Sequence, residues 1–164
     1  MKKKLTLGFT QIELIISMGI LLILISVLMT VFGQIVDVQL ESKAISSVDQ
    51  NGRYLLARLT HDMQSADGIV LPASAGQVSD TLQITVNSIN YIYKASASGN
   101  FVIINNFGTD VLNSNTASIS ALSFQRVGSG GINDTIRVSF TVTSRVKQVS
   151  GNESKNFQTT LGLQ

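Results

Sequence analysis

The sequence predicts an α+β protein: one long N-terminal α-helix, membrane-spanning in its first half and amphipathic in its second, packed on a C-terminal antiparallel β-sheet domain. Three observations predict it. From Leu14 to Val36 there is no charged residue. From Leu40 to Met63 apolar residues recur at spacings of three and four, the period of one helical face. From Ile69 onward the chain breaks into short alternating segments bounded by Gly, Asn and Ser, the pattern of strands and turns.

Composition narrows the chemistry. At 164 residues and 44% apolar content the chain is long enough for one domain with one core. It has no cysteine, which excludes disulfides, thiol catalysis and thiolate metal sites. The pI near 9.0 suggests a basic protein, but three of its 12 cations are Lys2, Lys3 and Lys4. Without residues 1 to 8, the 12 Lys and Arg fall to nine against ten acids, so the basic character belongs to the leader.

Those lysines ahead of an apolar run read as a targeting segment whose positive end stays in the cytoplasm. The run is too long for the h-region of a cleaved secretory signal, and the first alanine after it is Ala44. A lipoprotein signal would need a cysteine. A signal anchor fits better, since the uncharged stretch would span about 34 Å as a helix, enough for a bilayer core. That leaves Glu13, a carboxylate at the head of the run, where insertion toward the bilayer interior costs about 2.5 to 3.5 kcal/mol. One explanation is local: Thr10 and Glu13 have the spacing of a capping box, with Thr10 as N-cap and Glu13 reaching back to its N–H. The other is a partner in another chain.

Gly8-Phe9-Thr10-Gln11-Ile12-Glu13-Leu14, behind a short lysine leader and ahead of a long apolar helix, resembles the class III signal peptide of the type IV pilin superfamily. The resemblance implies cleavage between Gly8 and Phe9 by a prepilin peptidase, methylation of the new Phe9 amine and retention of the helix. It assigns Glu13 to meet the Phe9 amine of a neighbouring subunit during assembly. Two opposite charges near a membrane centre attract strongly, and each is costly unpaired. Gly8 has no side chain to obstruct a protease. Gln11 stands where the family usually has an apolar residue, and the helix lacks the proline of many major pilins.

Beyond Asp37 the apolar stripe comprises Leu40, Ala44, Ile45, Val48, Gly52, Leu55, Leu56, Leu59 and Met63, with charged and polar residues between. The helix is expected to run from about Thr10 to about Ala66, with Asp67-Gly68 as stop and Gly68 available for a left-handed C-cap. Ser17, Gly19, Ser26 and Gly33 are small residues of the kind that allow close helix packing in membranes, or are simply tolerated there.

Six or seven strands are expected after the helix. Leu82, Ile84 and Val86 alternate, Asn87-Ser88 turns, and Ile89 to Ala95 returns. Phe101 to Ile104 follows, then a strand marked by Leu122 and Phe124, and the Gly128 to Gly131 run breaks it. Ile136, Val138, Phe140 and Val142 alternate with polar residues, a strand with one buried face. The last strand is placed at Asn156 to Leu163. The segment Arg53 to Met63 with Ala66, Leu122 to Phe124 and Phe157 to Thr160 are similar to PilW- and GspJ-like minor pilins and pseudopilins.

No reacting group emerges, and no enzyme is predicted. His61 is the one histidine; it neighbours Asp62, and adjacent helical residues point in different directions, so a preformed catalytic pair is not expected. Asp80, Asp110, Asp134 and Glu153 are scattered acids without calcium-loop spacing. The glycine run lacks the Lys and helix of a phosphate loop. Arg126, Arg137, Arg145, Lys147 and Lys155 make the later chain locally basic, yet without aromatic stacking partners they read as a solvated face rather than a nucleic-acid site.

The expected organisation is a prepilin leader at 1–8, a transmembrane or filament-core half-helix at 9–36, an amphipathic half at 37–67 and a β-rich head at 68–164. The resemblance implies a structural subunit of a pilus, competence filament or type II secretion pseudopilus, without cofactor or metal. Its implied partners are prepilin peptidase, other pilin or pseudopilin subunits, an inner-membrane assembly platform and membrane lipid. The alternative is a membrane-anchored binding or adhesion module that never polymerises.

Overall fold

The computed structural model describes residues 10–128, 134–148 and 151–163. Helix α1 covers Gln11–Gln64, and the chain divides into two units between Gln39 and Leu40. In the first unit every described residue is exposed. An 18-residue window there has mean hydropathy 2.8 and none of it buried, so α1 is long and apolar enough to cross a membrane. Ser17, Ser26, Gly19 and Gly33 are all exposed, and a methyl group built on either glycine meets no side chain within 4 Å among the described residues.

The ends of α1 follow from orphan backbone groups. Thr10 caps the start, its Oγ1 accepting the Glu13 N–H at 3.3 Å. At the other end Ser65 N–H donates to His61 O and Ala66 N–H to Met63 O, tightening the last turn. The chain then transfers to a sheet, Asp67 N–H donating to Thr85 O at 2.7 Å. Gly68 does not form the left-handed cap expected from the sequence. It has no positive φ and opens a strand, because the sheet captures the chain at Asp67.

The second unit contains nine strands among the described residues, two more than the upper expectation. They are β1 (Gly68–Leu71), β2 (Val78–Ser79), β3 (Thr81–Val86), β4 (Ile89–Ala95), β5 (Phe101–Asn105), β6 (Gly108–Val111), β7 (Ala117–Arg126), β8 (Thr135–Ser144) and β9 (Ser154–Gly162). One sheet has the order β1-β3-β4-β5-β6 and the other β2-β7-β8-β9, and every pairing is antiparallel. The expected β3–β4 hairpin is present. Asn87 and Ser88 have φ of 50° and 65°, the left-handed pair that a two-residue turn needs to match strand twist.

The strands that pattern reading missed lack a period. β6 is exposed throughout, so nothing alternates, and β2 has two residues. In β7 a bulge between Ser120 and Ser123, with Ala121 at φ 51°, flips the side-chain parity. Ile119 and Phe124 therefore both face the core although five positions apart.

The core joins the helical stripe to both sheets. Val48, Leu55, Leu59 and Met63 pack with Leu82, Ile84, Tyr93, Phe101, Phe124, Phe140 and Val142. Ile45, counted in the stripe from sequence, is instead exposed. Gly52 is buried because the Phe157 ring lies against its Cα, and a Cβ there would overlap the ring. Alanine in a helix gains about 1 kcal/mol over glycine, whereas overpacking a filled core costs about 1 to 3 kcal/mol. Gly52→Ala is therefore expected to destabilise the wild-type domain by about 1 kcal/mol, yet to stabilise a Phe157→Ala background. Denaturation midpoints of the four-member cycle check this, and the same sign in both backgrounds would refute it.

Candidate functional site

Of the residues singled out from the sequence, Lys2, Lys3, Lys4, Gly8 and Phe9 lie outside the described residues, as do most of the Gly128 to Gly131 run. Glu13 is described. Only half of the expected capping box forms: Thr10 Oγ1 accepts the Glu13 N–H. The Glu13 carboxylate makes no hydrogen bond or ion pair among the described residues. It is the one charge in the first turn of α1, directly ahead of Leu14, Ile15 and Ile16, which are all exposed. Chemically this is an acid at the head of an apolar helix, with its binding capacity unused among the described residues.

The second place where polar groups gather is the far end of α1. Asp62 Oδ2 accepts from Arg58 Nε at 2.7 Å and from the Tyr93 hydroxyl at 2.6 Å. Asp62 Oδ1 lies 3.2 Å from His61 Nδ1. The sequence reading that adjacent helical residues would keep His61 and Asp62 apart is thus corrected. The Asp62 carboxylate is fixed by Arg58 and Tyr93, and Nδ1, the ring nitrogen nearest the backbone, is close enough to reach its second oxygen. His61 still faces solvent, at 77% side-chain exposure, and Ser65 Oγ donates to the His61 carbonyl. The cluster ties helix to sheet, and the 270 Å³ cleft beside it is lined by Arg58, His61, Asp62, Ser65, Tyr91 and Tyr93 among others.

Burial, the hydrogen bond to Asp62 and the Asp62 charge together hold the Tyr93 phenol well above its ordinary value near 10.0. A group with a raised folded pKa contributes stability that is fully present below its unfolded pKa and is lost as pH rises beyond it. The melting temperature should therefore fall as pH is raised above about 10, and Tyr93→Phe should remove the part of that fall due to this residue. An identical alkaline slope in the variant would show that Tyr93 does not cause it.

Of the five basic residues, Arg137, Arg145, Lys147 and Lys155 are exposed, as expected of a solvated face, and Arg126 is the exception. The Arg126 guanidinium makes a bidentate pair with Asp134 through Nε and Nη2, and its Nη1 donates to Pro72 O and Ala73 O at 3.1 and 2.9 Å. Arg145 donates to Ser98 O and Asn100 Oδ1. Lys155 pairs with Asp49 at 2.8 Å, which lowers the Asp49 pKa, and lies 5.6 Å from the Phe157 ring centroid. Of the scattered acids, Asp134 belongs to the Arg126 pair, and no three His, Cys, Asp or Glu side chains converge among the described residues.

Asn51 was missed from the sequence. It is a polar residue on the buried stripe, donating to Ser47 O and Ser114 Oγ and accepting the Ser114 N–H. Its position, three residues after Val48 and four before Leu55, was the available signal. Comparison with protein families, with curated proteins and with solved structures finds no match to this chain.

Proposed function

We propose that this chain is a type IV pilin-like minor subunit, processed by a prepilin peptidase between Gly8 and Phe9 and assembled through Glu13. The observation that carries this reading is the Glu13 carboxylate, without a partner among the described residues, at the head of an apolar half-helix whose described residues up to Gln39 are all exposed. In water such a surface is unfavourable by about 25 cal/mol per Å². In a bilayer or a bundle of similar helices that surface is covered, and the anion then requires a cation. An N-terminal amine created at Phe9 in a neighbouring subunit supplies it. The β-rich unit then makes extracytoplasmic contacts with other pilin or pseudopilin subunits, while the assembly platform and lipid surround the helix.

Mass spectrometry of the cell-derived N-terminus tests the reading. A chain beginning at N-methylated Phe9 supports it, and one beginning at Met1 or beyond residue 33 overturns it. Glu13→Ala should reduce filament incorporation at least tenfold with the melting temperature of the β-rich unit unchanged. Undiminished incorporation would favour the anchored binding module instead.

A further inference from the structure

A β-sheet edge invites pairing with any extended chain, and folded proteins block it with short strands, charges, bulges or proline. Three of the four edges here carry such a device. β1 has four residues, a register shift between Ile69 and Leu71, and Pro72 directly after it. β2 has two residues. β6 has four, with Asp110 among them. β9 is different: nine residues long, in unbroken register with β8 from Thr135↔Gly162 to Thr143↔Ser154, without bulge or proline.

The pairing shows which backbone groups face outward. Leu163 N–H donates to Asp134 O and Ser144 N–H to Glu153 O, which fixes Ile136/Leu161, Val138/Thr159, Phe140/Phe157 and Val142/Lys155 as the hydrogen-bonded pairs. Ser154, Asn156, Gln158, Thr160 and Gly162 must therefore turn their N–H and C=O away from β8, and all are exposed. None carries a charge. The one charge on β9, Lys155, is held by Asp49. Beside the strand runs a 350 Å³ trough whose lining includes Thr60, Gln64, Thr159 and Leu161, with no charged residue.

We infer that β9 is a docking edge for an extended, uncharged segment of another polypeptide, which adds antiparallel to it and places small hydroxyl, amide or aliphatic side chains in the trough. A second copy is the poorer occupant. The face of its β9 that would enter the trough carries Lys155 and Phe157, a charge and a large ring that do not match an uncharged lining of Thr, Gln and Leu.

The test uses the full chain in nanodiscs and a nine-residue peptide copying Ser154–Gly162 with Lys155→Thr and Phe157→Val, which makes it uncharged and free of large rings; the β9 frame is kept because backbone bonds dominate strand addition. A control peptide carries Glu at the positions of Lys155, Phe157, Thr159 and Leu161. The copying peptide should slow amide exchange at Asn156, Gln158 and Thr160 at least tenfold, and the control should not. Gln158→Pro removes an outward N–H and leaves the β8 ladder complete, so it should abolish the effect. Gln158→Lys, which alters no backbone group, should weaken binding at least tenfold with an unchanged melting temperature. No protection by the copying peptide, or equal protection in Gln158→Lys, overturns the inference. Because the chain has no cysteine, disulfide-linked dimers of Gln158→Cys would overturn it in favour of self-pairing.

Discussion

Arg126→Ala is expected to destabilise the β-rich unit by about 3 to 5 kcal/mol, the usual cost of removing one partner from a buried ion pair. The side chains of Arg126 and Asp134 are only 12% and 3% exposed. The guanidinium neutralises a carboxylate held away from water, and it also bonds the Pro72 and Ala73 carbonyls. Its loss affects the β1–β2 connection and the approach to β8 together. Arg126→Lys should recover only a minority of the loss, because an ammonium cannot reproduce the planar fork that serves both oxygens and two carbonyls. Chemical denaturation followed by circular dichroism measures both variants. A loss below about 1 kcal/mol, the level of an exposed pair, would show that the pair is structurally incidental.

Phe140→Ala should cost a similar amount, about 3 to 5 kcal/mol, for an unrelated reason. Phe140 is fully buried at the centre of β8. Its ring stacks on Phe157 at 5.7 Å and lies 6.4 Å from Phe101, which in turn lies 6.3 Å from Tyr93. Phe157 contacts the helix at Gly52, so this ring links the two sheets to the helical stripe. Truncation leaves a cavity that strands hydrogen-bonded on both sides of β8 cannot collapse around. Phe140→Leu retains most of the volume and should cost about 1 to 2 kcal/mol. The ratio of the two losses, read from denaturation midpoints at constant slope, checks that cavity formation dominates. Equal losses would point to aromatic stacking instead.

Elements with a strong period were legible in the sequence. Four alternating residues locate β8, and the Asn87-Ser88 turn locates the hairpin, because both depend on neighbours along the chain. The helix was legible for the same reason, to within two residues at its C-terminal end. Gly68 was misread as a left-handed cap because the competing interaction, from Asp67 to Thr85, joins residues 18 positions apart. β7 was seen only in part because its bulge reverses the alternation that would reveal it.

The candidate sites divide similarly. Glu13 stands out by simple charge counting along an apolar run. Asp62 and Arg126 do not, because their partners Tyr93 and Asp134 arrive from other elements. A list of arginines cannot distinguish a surface cation from one enclosed by two loops.

By itself the sequence determined the α+β class, the uncharged anchor-length run, the helical stripe and the Glu13 anomaly, all products of local periodicity and of the cost of placing charge in an apolar setting. Only the tertiary structure decided which sheet edge stays open, which cations are already paired and which polar residues enter the core. Those outcomes depend on strand register and on contacts between distant residues, and neither is encoded in any short stretch of chain.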